Sequence, residues 1–165
     1  MAKRFSEIAA KLIAMAKEDR EMRINAMHDM SRWNEDIDRK NTARLKEIVA
    51  AIGWPTIPKV GSGASQCAWL LVQHATKELD FMKHCLDLMK AAAKGDTLPA
   101  NIALLEDRLL TIDGKPQIYG TQFQTINGVT KPFPIEDFKH VDGRRKQVGL
   151  NTFAENEARI MARYK

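Results

Sequence analysis

The chain has 165 residues, of which 44% are hydrophobic and 28% are charged. These values are typical of a chain that buries its own core, and they exclude wholesale disorder. No apolar run in the sequence approaches the roughly 20 residues needed to cross a membrane. Lys and Arg (26) exceed Asp and Glu (21), giving a formal net charge of +5. No nucleic-acid-binding motif accompanies this charge, so we favour a solvated basic face over a nucleic-acid partner, and we expect no membrane partner.

The N-terminal region and the cysteines indicate the compartment. The basic start is followed by apolar residues, but Lys11, Lys17 and Glu18 interrupt any signal-type hydrophobic segment. Cys67 and Cys85 lie in apolar helical patterns without metal-type spacing. Buried thiols in a reducing compartment are therefore favoured over a disulfide or a zinc site. We expect a cytoplasmic protein with no cofactor and no metal.

The first half of the chain predicts helices. Apolar residues recur at steps of three and four from Ser6 to about Met30, and again over Asn41–Ile52, where Gly53 is typical of a helix stop. Residues 53–63 hold two prolines and three glycines, which excludes a helix there and favours packing of Trp54 onto the core. An unusually apolar helix from Gln66 to about Glu78 is predicted to be central.

The second half adds a small β unit. Helices are predicted over 80–94 and from Pro99. Asp113-Gly114 and Asn127-Gly128 then indicate two tight turns, the first joining 110–112 to 117–119 and the second joining 122–126 to 129–130. A last helix starts near Asn151 or Thr152, where Thr152 and Glu155 have the spacing of a capping box, and it runs almost to Tyr164.

The predicted fold class is mainly α, with five to six helices around the central apolar helix and a small antiparallel β-hairpin unit. We expect one domain over residues 1–165. Within it, residues 1–40 form an N-terminal helical extension, 41–151 the main body, and 152–165 a C-terminal helix.

Several short motifs occur together in a fixed order. They are Gly53-Trp54-Pro55, Gln73-His74-Ala75, Asp107-Arg108, Gln117-x-Tyr119-Gly120-Thr121-Gln122, and Arg144-Arg145 followed by Gly149-Leu150. As a set they resemble an uncharacterised bacterial family, a domain of unknown function. The resemblance covers about Asn41–Asn151, and the first and last helices fall outside it or match poorly. It implies a shared fold without an activity to transfer.

Gln73 and His74 close the most apolar helix, so polar side chains there need hydrogen-bond partners in the interior. A neutral imidazole in such a position can act as a general base near neutral pH. The alternative is a structural histidine that is bonded to a backbone carbonyl of the following loop.

Asp107 and Arg108 end a predicted helix beside the hairpin. Either Asp107 pairs with Arg144 or Arg145 to support the fold, or Asp107 is an acid/base group and Arg108 clamps an anion. In the next segment, alternation places Gln117, Tyr119 and Thr121 on one strand face, and Gly120 indicates a bulge or a close approach. Such a face suits the wall of a polar pocket or a solvated hairpin.

Together these segments predict a polar pocket where the central helix meets the hairpin and the Arg144–Arg145 loop. A hydrolase or group-transfer enzyme acting on a small polar or anionic molecule is the leading hypothesis, with His74 and Asp107 as catalytic groups. The expected ligand-binding residues are Gln73, Arg108, Gln117, Tyr119, Thr121, Gln122, Arg144 and Arg145. The alternative is a non-catalytic module that pairs with a partner, or as a homodimer, through the first helix. A third hypothesis is nucleic-acid binding through residues 138–165, which hold seven basic and three acidic residues.

Overall fold

A computed structural model describes residues 2–162. The protein is mainly helical with a small antiparallel sheet, as the sequence predicts. Its backbone divides into two compact units, one up to Thr97 and the other from Leu98, and each is described by itself. The single domain stays a prediction. Within the described residues, every helix is too short or too polar to cross a membrane.

The elements follow one another in a simple order. The helices are α1 (Ala2–His28), α2 (Glu35–Ile52), α3 (Ile57–Val60), α4 (Ser62–His74), α5 (Leu79–Ala91), α6 (Pro99–Ile112), α7 (Val141–Gln147) and α8 (Phe153–Met161). Strands β1 (Phe123–Ile126) and β2 (Val129–Pro132) form the sheet, and short 3₁₀ turns lie at Met30–Arg32 and Phe138–His140.

The core of the first unit lies where α1 packs on α4 and α2. Helix α1 contributes an apolar stripe, and α4 is buried along most of its length, as its composition predicts. The buried hydrophobic residues of these two helices are Ile8, Leu12, Met15, Ala16, Met22, Ala26, Ala64, Cys67, Ala68, Leu71 and Val72. One charged residue, Asp19, lies on the same stripe of α1 and is only 1% exposed.

Helix α2 begins six residues before the predicted start at Asn41. Asn34 caps it by accepting a hydrogen bond from the Asp36 amide at 3.0 Å. Acidic residues in the first turn also favour the positive end of the helix dipole. The exposed residues of this first turn are all polar, so apolar periodicity alone does not detect the start of the helix.

Residues 53–63 contain the one-turn helix α3, so the prediction that no helix forms there is wrong. Pro58 lies in its first turn, where a missing amide hydrogen costs nothing. Gly53 ends α2 with a φ of +68°, and Trp54 is buried at 3% exposure, both as predicted. Helix α4 ends at His74 rather than near Glu78, which leaves residues 75–78 as a loop before α5.

In the second unit, α6 continues to Ile112, so the first predicted hairpin is wrong. The apolar residues at 110 and 112 extend the helical pattern, and Asp113 caps the helix end through its backbone amide. The second hairpin is confirmed, with Ile126 opposite Val129. Asn127 and Gly128 have φ values of +51° and +76°, as a two-residue turn of this hand requires.

The C-terminal part of this unit holds α7 and α8. Helix α7 was not predicted, since Gly143 and three neighbouring basic residues conceal its short apolar pattern. The capping box of Thr152 and Glu155 is confirmed. Tyr164, the predicted end of the last helix, lies outside the described residues.

Candidate functional site

His74, the last residue of α4, is bonded to a buried carboxylate of α1. Its Nδ1 lies 2.9 Å from Oδ2 and 3.0 Å from Oδ1 of Asp19. An ionised carboxylate can only accept hydrogen bonds, so Nδ1 carries the proton in the neutral imidazole. Nε2 is then the unprotonated ring nitrogen, and it makes no hydrogen bond to residues 2–162.

Arg23 lies one turn along α1 from Asp19 and connects the pair to α2. Its Nε is 3.1 Å from Asp19 Oδ1 and 3.0 Å from His74 Nδ1, and its Nη2 is 2.6 Å from Asp38 Oδ1. Since Nδ1 already carries a proton, the Nε–H of Arg23 is donated to Asp19. The guanidinium also lies 5.0 Å from the ring centroid of Trp33, a cation–π contact.

The two carboxyl groups of this cluster respond differently to their surroundings. Burial favours the neutral form of Asp19, but the hydrogen bond and charge of His74, together with Arg23, outweigh it and hold the pKa of Asp19 below its usual value. Burial raises the pKa of Asp38, and Arg23 only partly opposes that effect. Asp19 is therefore firmly ionised, whereas the carboxylate of Asp38 is poorly solvated.

His74 and Asp38 line a pocket of about 520 Å³ within the first unit, a volume within the range of small-molecule sites. The start of α2, Trp33 and the loop after α4 form its walls. Its lining residues are Trp33, Glu35, Asp36, Asp38, Arg39, Thr42, Ala43, Lys46, His74, Ala75, Thr76, Lys77 and Glu78. Three ion pairs join residues of this lining: Arg39–Asp36 at 2.9 Å, Lys46–Glu78 at 3.0 Å and Lys77–Glu35 at 2.8 Å.

In the second unit, the predicted site residues form hydrogen bonds that stabilise an irregular loop, residues 117–122. Asp107 is fully buried and accepts hydrogen bonds from the amides of Ile118, Tyr119 and Thr121 at 2.7–3.2 Å. The Thr121 hydroxyl donates a further bond at 3.0 Å. Burial raises the pKa of Asp107, and the loop amides offset part of that rise. Segment 117–121 is therefore not the predicted strand with an exposed polar face.

The side chains of Gln117 and Gln122 form further hydrogen bonds that stabilise this loop. Gln117, also fully buried, donates to the carbonyls of Gln122 and Phe133 at 3.0 Å and accepts from the Gln122 amide at 2.8 Å. The Gln122 side chain donates to the Thr121 hydroxyl at 3.0 Å. Burial raises the pKa of Tyr119, with the nearby charge of Glu106 adding to the rise.

Arg144 and Arg145 bind carbonyl groups rather than a carboxylate of Asp107. Arg144 Nε donates to the Ile118 carbonyl at 2.9 Å, and Arg145 Nη1 donates to that of Tyr119 at 2.6 Å. Arg145 is only 1% exposed. Arg108 is half-buried in α6. Arg144 also donates to the carbonyls of Glu136 and Asp137, and Arg145 to the carbonyl of Asn151. The role of these residues as ligand-binding groups stays a prediction.

The predicted site residues belong to different units. Gln73 and His74 lie in the first unit, where Gln73 is buried, and the remaining eight lie in the second. A shared pocket between them stays a prediction. Sequence reasoning missed Asp19, Arg23, Trp33 and Asp38, although the position of Asp19 on an apolar helical stripe is a signal that could have revealed it. Residues 2–162 contain no group of His, Cys, Asp and Glu side chains arranged to hold a metal ion.

Fold and site together define a mainly helical protein with a buried carboxylate–histidine pair beside a pocket. The chain belongs to a family of unknown function (DUF6624), whose model matches residues 7–164. The match is wider than the Asn41–Asn151 range given by the short motifs and includes α1 and α8, so the expectation that those helices fall outside the family is wrong. No curated protein and no solved structure matches the chain.

Proposed function

We propose that this protein is an enzyme of the hydrolytic or group-transfer class, with a small polar molecule bound in the pocket beside His74. His74 is its general base. The observation that carries this proposal is the bond between His74 Nδ1 and the buried carboxylate of Asp19. That bond fixes the ring orientation and the tautomer, and it leaves Nε2 available to a ligand.

The chemistry follows from the two partners of the imidazole. Nε2 takes a proton from water or from a substrate hydroxyl, whose oxygen forms a bond to the electrophilic atom of the substrate. The bond to the leaving group breaks, and the imidazolium returns the proton to that leaving group. Asp19 stabilises the imidazolium without itself taking up the proton, as in other carboxylate–histidine pairs. Arg23 keeps Asp19 ionised, because its Nε donates to the same carboxylate.

The tautomer of His74 is the first test. In long-range ¹H–¹⁵N spectra of the labelled protein, we expect the neutral ring to carry its proton on Nδ1. Diethyl pyrocarbonate should then modify His74 at Nε2, and Asp19→Asn should slow this modification while Asp87→Asn, an exposed carboxylate of α5, should not. A neutral ring with its proton on Nε2 would overturn the role of His74 as base.

Activity is the second test. We expect turnover of neutral p-nitrophenyl esters, with a loss of about 100-fold in His74→Gln, the lower end of general acid–base contributions. His84→Gln is the matched control, because His84 is exposed on α5 and outside the pocket. Equal loss in both variants, or none in His74→Gln, would contradict the proposal.

A second candidate function is self-association through the end of α1. Ile24, Met27 and Met30 are 55%, 85% and 73% exposed, which is unusual for apolar side chains so close together. Sedimentation velocity over a range of concentrations tests this directly. A dimer that Met27→Glu disrupts, and that Val129→Glu in β2 does not, would support it, whereas a monomer at all concentrations would exclude it.

A further inference from the structure

Two residues that line the pocket, His74 and Asp38, carry hydrogen-bond acceptors on side chains that are mostly buried. Nε2 of His74 is the unprotonated ring nitrogen. The Oδ1 atom of Asp38 accepts from Arg23 at 2.6 Å, whereas Oδ2 has no partner in the described part of the chain. A bare ring nitrogen and a carboxylate oxygen can only accept. A ligand that satisfies both must bring donors.

Each basic residue that lines the pocket is already paired with an acidic residue. Four acidic residues line it against three cations. Each cation faces a carboxylate at 3.0 Å or less, in the pairs Arg39–Asp36, Lys46–Glu78 and Lys77–Glu35. A phosphate or carboxylate group would have to displace one of these partners, and it would also be repelled by Asp38, which lines the same pocket. The charge distribution therefore disfavours an anionic ligand.

Trp33 supplies the apolar part of the pocket. Arg23 lies over its ring at 5.0 Å, and Trp33 as a residue is 37% exposed. A flat, partly covered indole suits a ligand with an apolar ring face and polar edges. The combination of such a ring with nearby acceptors is what a hydroxyl-rich ring molecule requires.

We infer that the ligand of this pocket is a hydroxyl-rich molecule of about monosaccharide size, neutral or positively charged, that donates hydrogen bonds to His74 Nε2 and Asp38 Oδ2 and packs on Trp33. This inference names the substrate class of the site in the proposed function and rests on it. Sugars and amino sugars share this donor chemistry, and phosphorylated sugars do not fit it.

The pH dependence of binding separates the two kinds of ligand. Protonation of Asp38 removes an acceptor, so a donor ligand binds less tightly as the pH falls. An anionic ligand binds more tightly under the same change, because the pocket gains positive charge. Burial raises the pKa of Asp38 and so destabilises its ionised form, and a ligand that donates a hydrogen bond to Oδ2 would stabilise that form. The other charged groups that face His74 and Asp38 are Asp19, Arg23, Glu35, Asp36, Arg39, Lys46, Lys77 and Glu78.

The experiment titrates the full chain with methyl glucoside, glucosamine and glucose 6-phosphate at about pH 7.5 and about pH 5, the lower value being chosen because burial raises the pKa of Asp38. Binding is followed by the indole N–H signal of Trp33 in ¹H–¹⁵N spectra. We expect shifts with the first two sugars, weaker binding at the lower pH, and affinity reduced about tenfold by Asp38→Asn, the equivalent of one hydrogen bond to a charged group. Asp36→Asn is the matched control, since Asp36 lines the same pocket but is 61% exposed and paired with Arg39.

Three results would overturn this ligand class. They are shifts with glucose 6-phosphate alone, tighter binding at the lower pH, and no shift with any of the three sugars. Failure of the catalytic proposal is recognised separately, because the tautomer of His74 is measured without ligand. A wrong tautomer together with normal sugar binding through Asp38 would reject the base and leave a sugar-binding protein.

Discussion

Asp107 and Arg145 both form hydrogen bonds with the backbone of Tyr119. Asp107 accepts the amide hydrogen of Tyr119 at 3.0 Å, and Arg145 donates to the carbonyl of the same residue at 2.6 Å. Both side chains are at most 1% exposed. These two buried side chains are thus joined through the backbone of Tyr119 and not by a direct bond to each other. Arg145 also donates to the carbonyl and side-chain oxygens of Asn151. Hydrogen bonds to these two side chains therefore hold the loop in place.

The first prediction concerns Asp107→Asn. The amide replaces one of two accepting oxygens with a donor, which then faces an amide or hydroxyl hydrogen of the loop. We expect a loss of about 3 kcal/mol in the free energy of unfolding, since several hydrogen bonds to a buried charge are broken. Urea denaturation followed by circular dichroism measures this loss. Asp87→Asn is the control, and an equally stable Asp107→Asn would show that the loop does not depend on this carboxylate.

The second prediction separates backbone strain from steric overlap. Gly120 and Gly128 have φ values of +67° and +76°. A Cβ at Gly120 would lie 2.8 Å from side-chain atoms of Ile135 and Phe153, whereas one at Gly128 meets nothing within 4 Å. We expect Gly128→Ala to cost about 1 kcal/mol and Gly120→Ala about 2 kcal/mol more in unfolding free energy. Similar losses in the two variants would place the whole cost in the backbone.

The regular parts of the fold follow from local patterns in the sequence. Apolar periodicity gives α1 and the buried α4, a capping box gives the start of α8, and Asn127-Gly128 gives the hairpin. These features depend on residues that are close in sequence. The hairpin proposed around Asp113-Gly114 fails because the same dipeptide also follows a helix end, and Leu110–Ile112 fits either period.

The candidate site could be predicted only in part. His74 stands out as a polar residue at the end of an apolar helix, but its partners depend on how α1 and α4 pack. Asp19 is 55 positions away from it in sequence, and Asp38 reaches the cluster through Arg23. Likewise, the polar residues of 117–122 look like a pocket wall in sequence, whereas most of them close the loop on itself. Composition does not reveal the direction in which a side chain points.

The third prediction concerns the two cysteines. Both are free and buried, as expected from their apolar surroundings. Burial raises the pKa of the Cys85 thiol to about 12, so almost no thiolate is present in the native protein at about pH 8. We expect Ellman's reagent to label neither cysteine until denaturant is added and then to label both. Rapid labelling of Cys85 in the native protein, located by peptide mass mapping, would contradict its place in the core.

The last prediction follows from the pKa of Asp19. His74 and Arg23 hold that pKa below its usual value against the opposing effect of burial. The ionised form is therefore favoured more in the folded than in the unfolded chain. Its contribution to stability is fully present above the unfolded pKa of about 3.9 and is lost as the pH falls through the lower, folded value.

Unfolding free energies measured in urea between about pH 5 and about pH 2 should therefore fall more steeply for the wild type than for Asp19→Asn, which has no carboxyl group to titrate at this position. Near neutral pH the same substitution should cost about 2 kcal/mol, because it removes a charged acceptor from both His74 and Arg23. Asp87→Asn should follow the wild-type curve at every pH. Identical slopes in wild type and Asp19→Asn would mean that the charge of Asp19 is not what holds α1 to the end of α4.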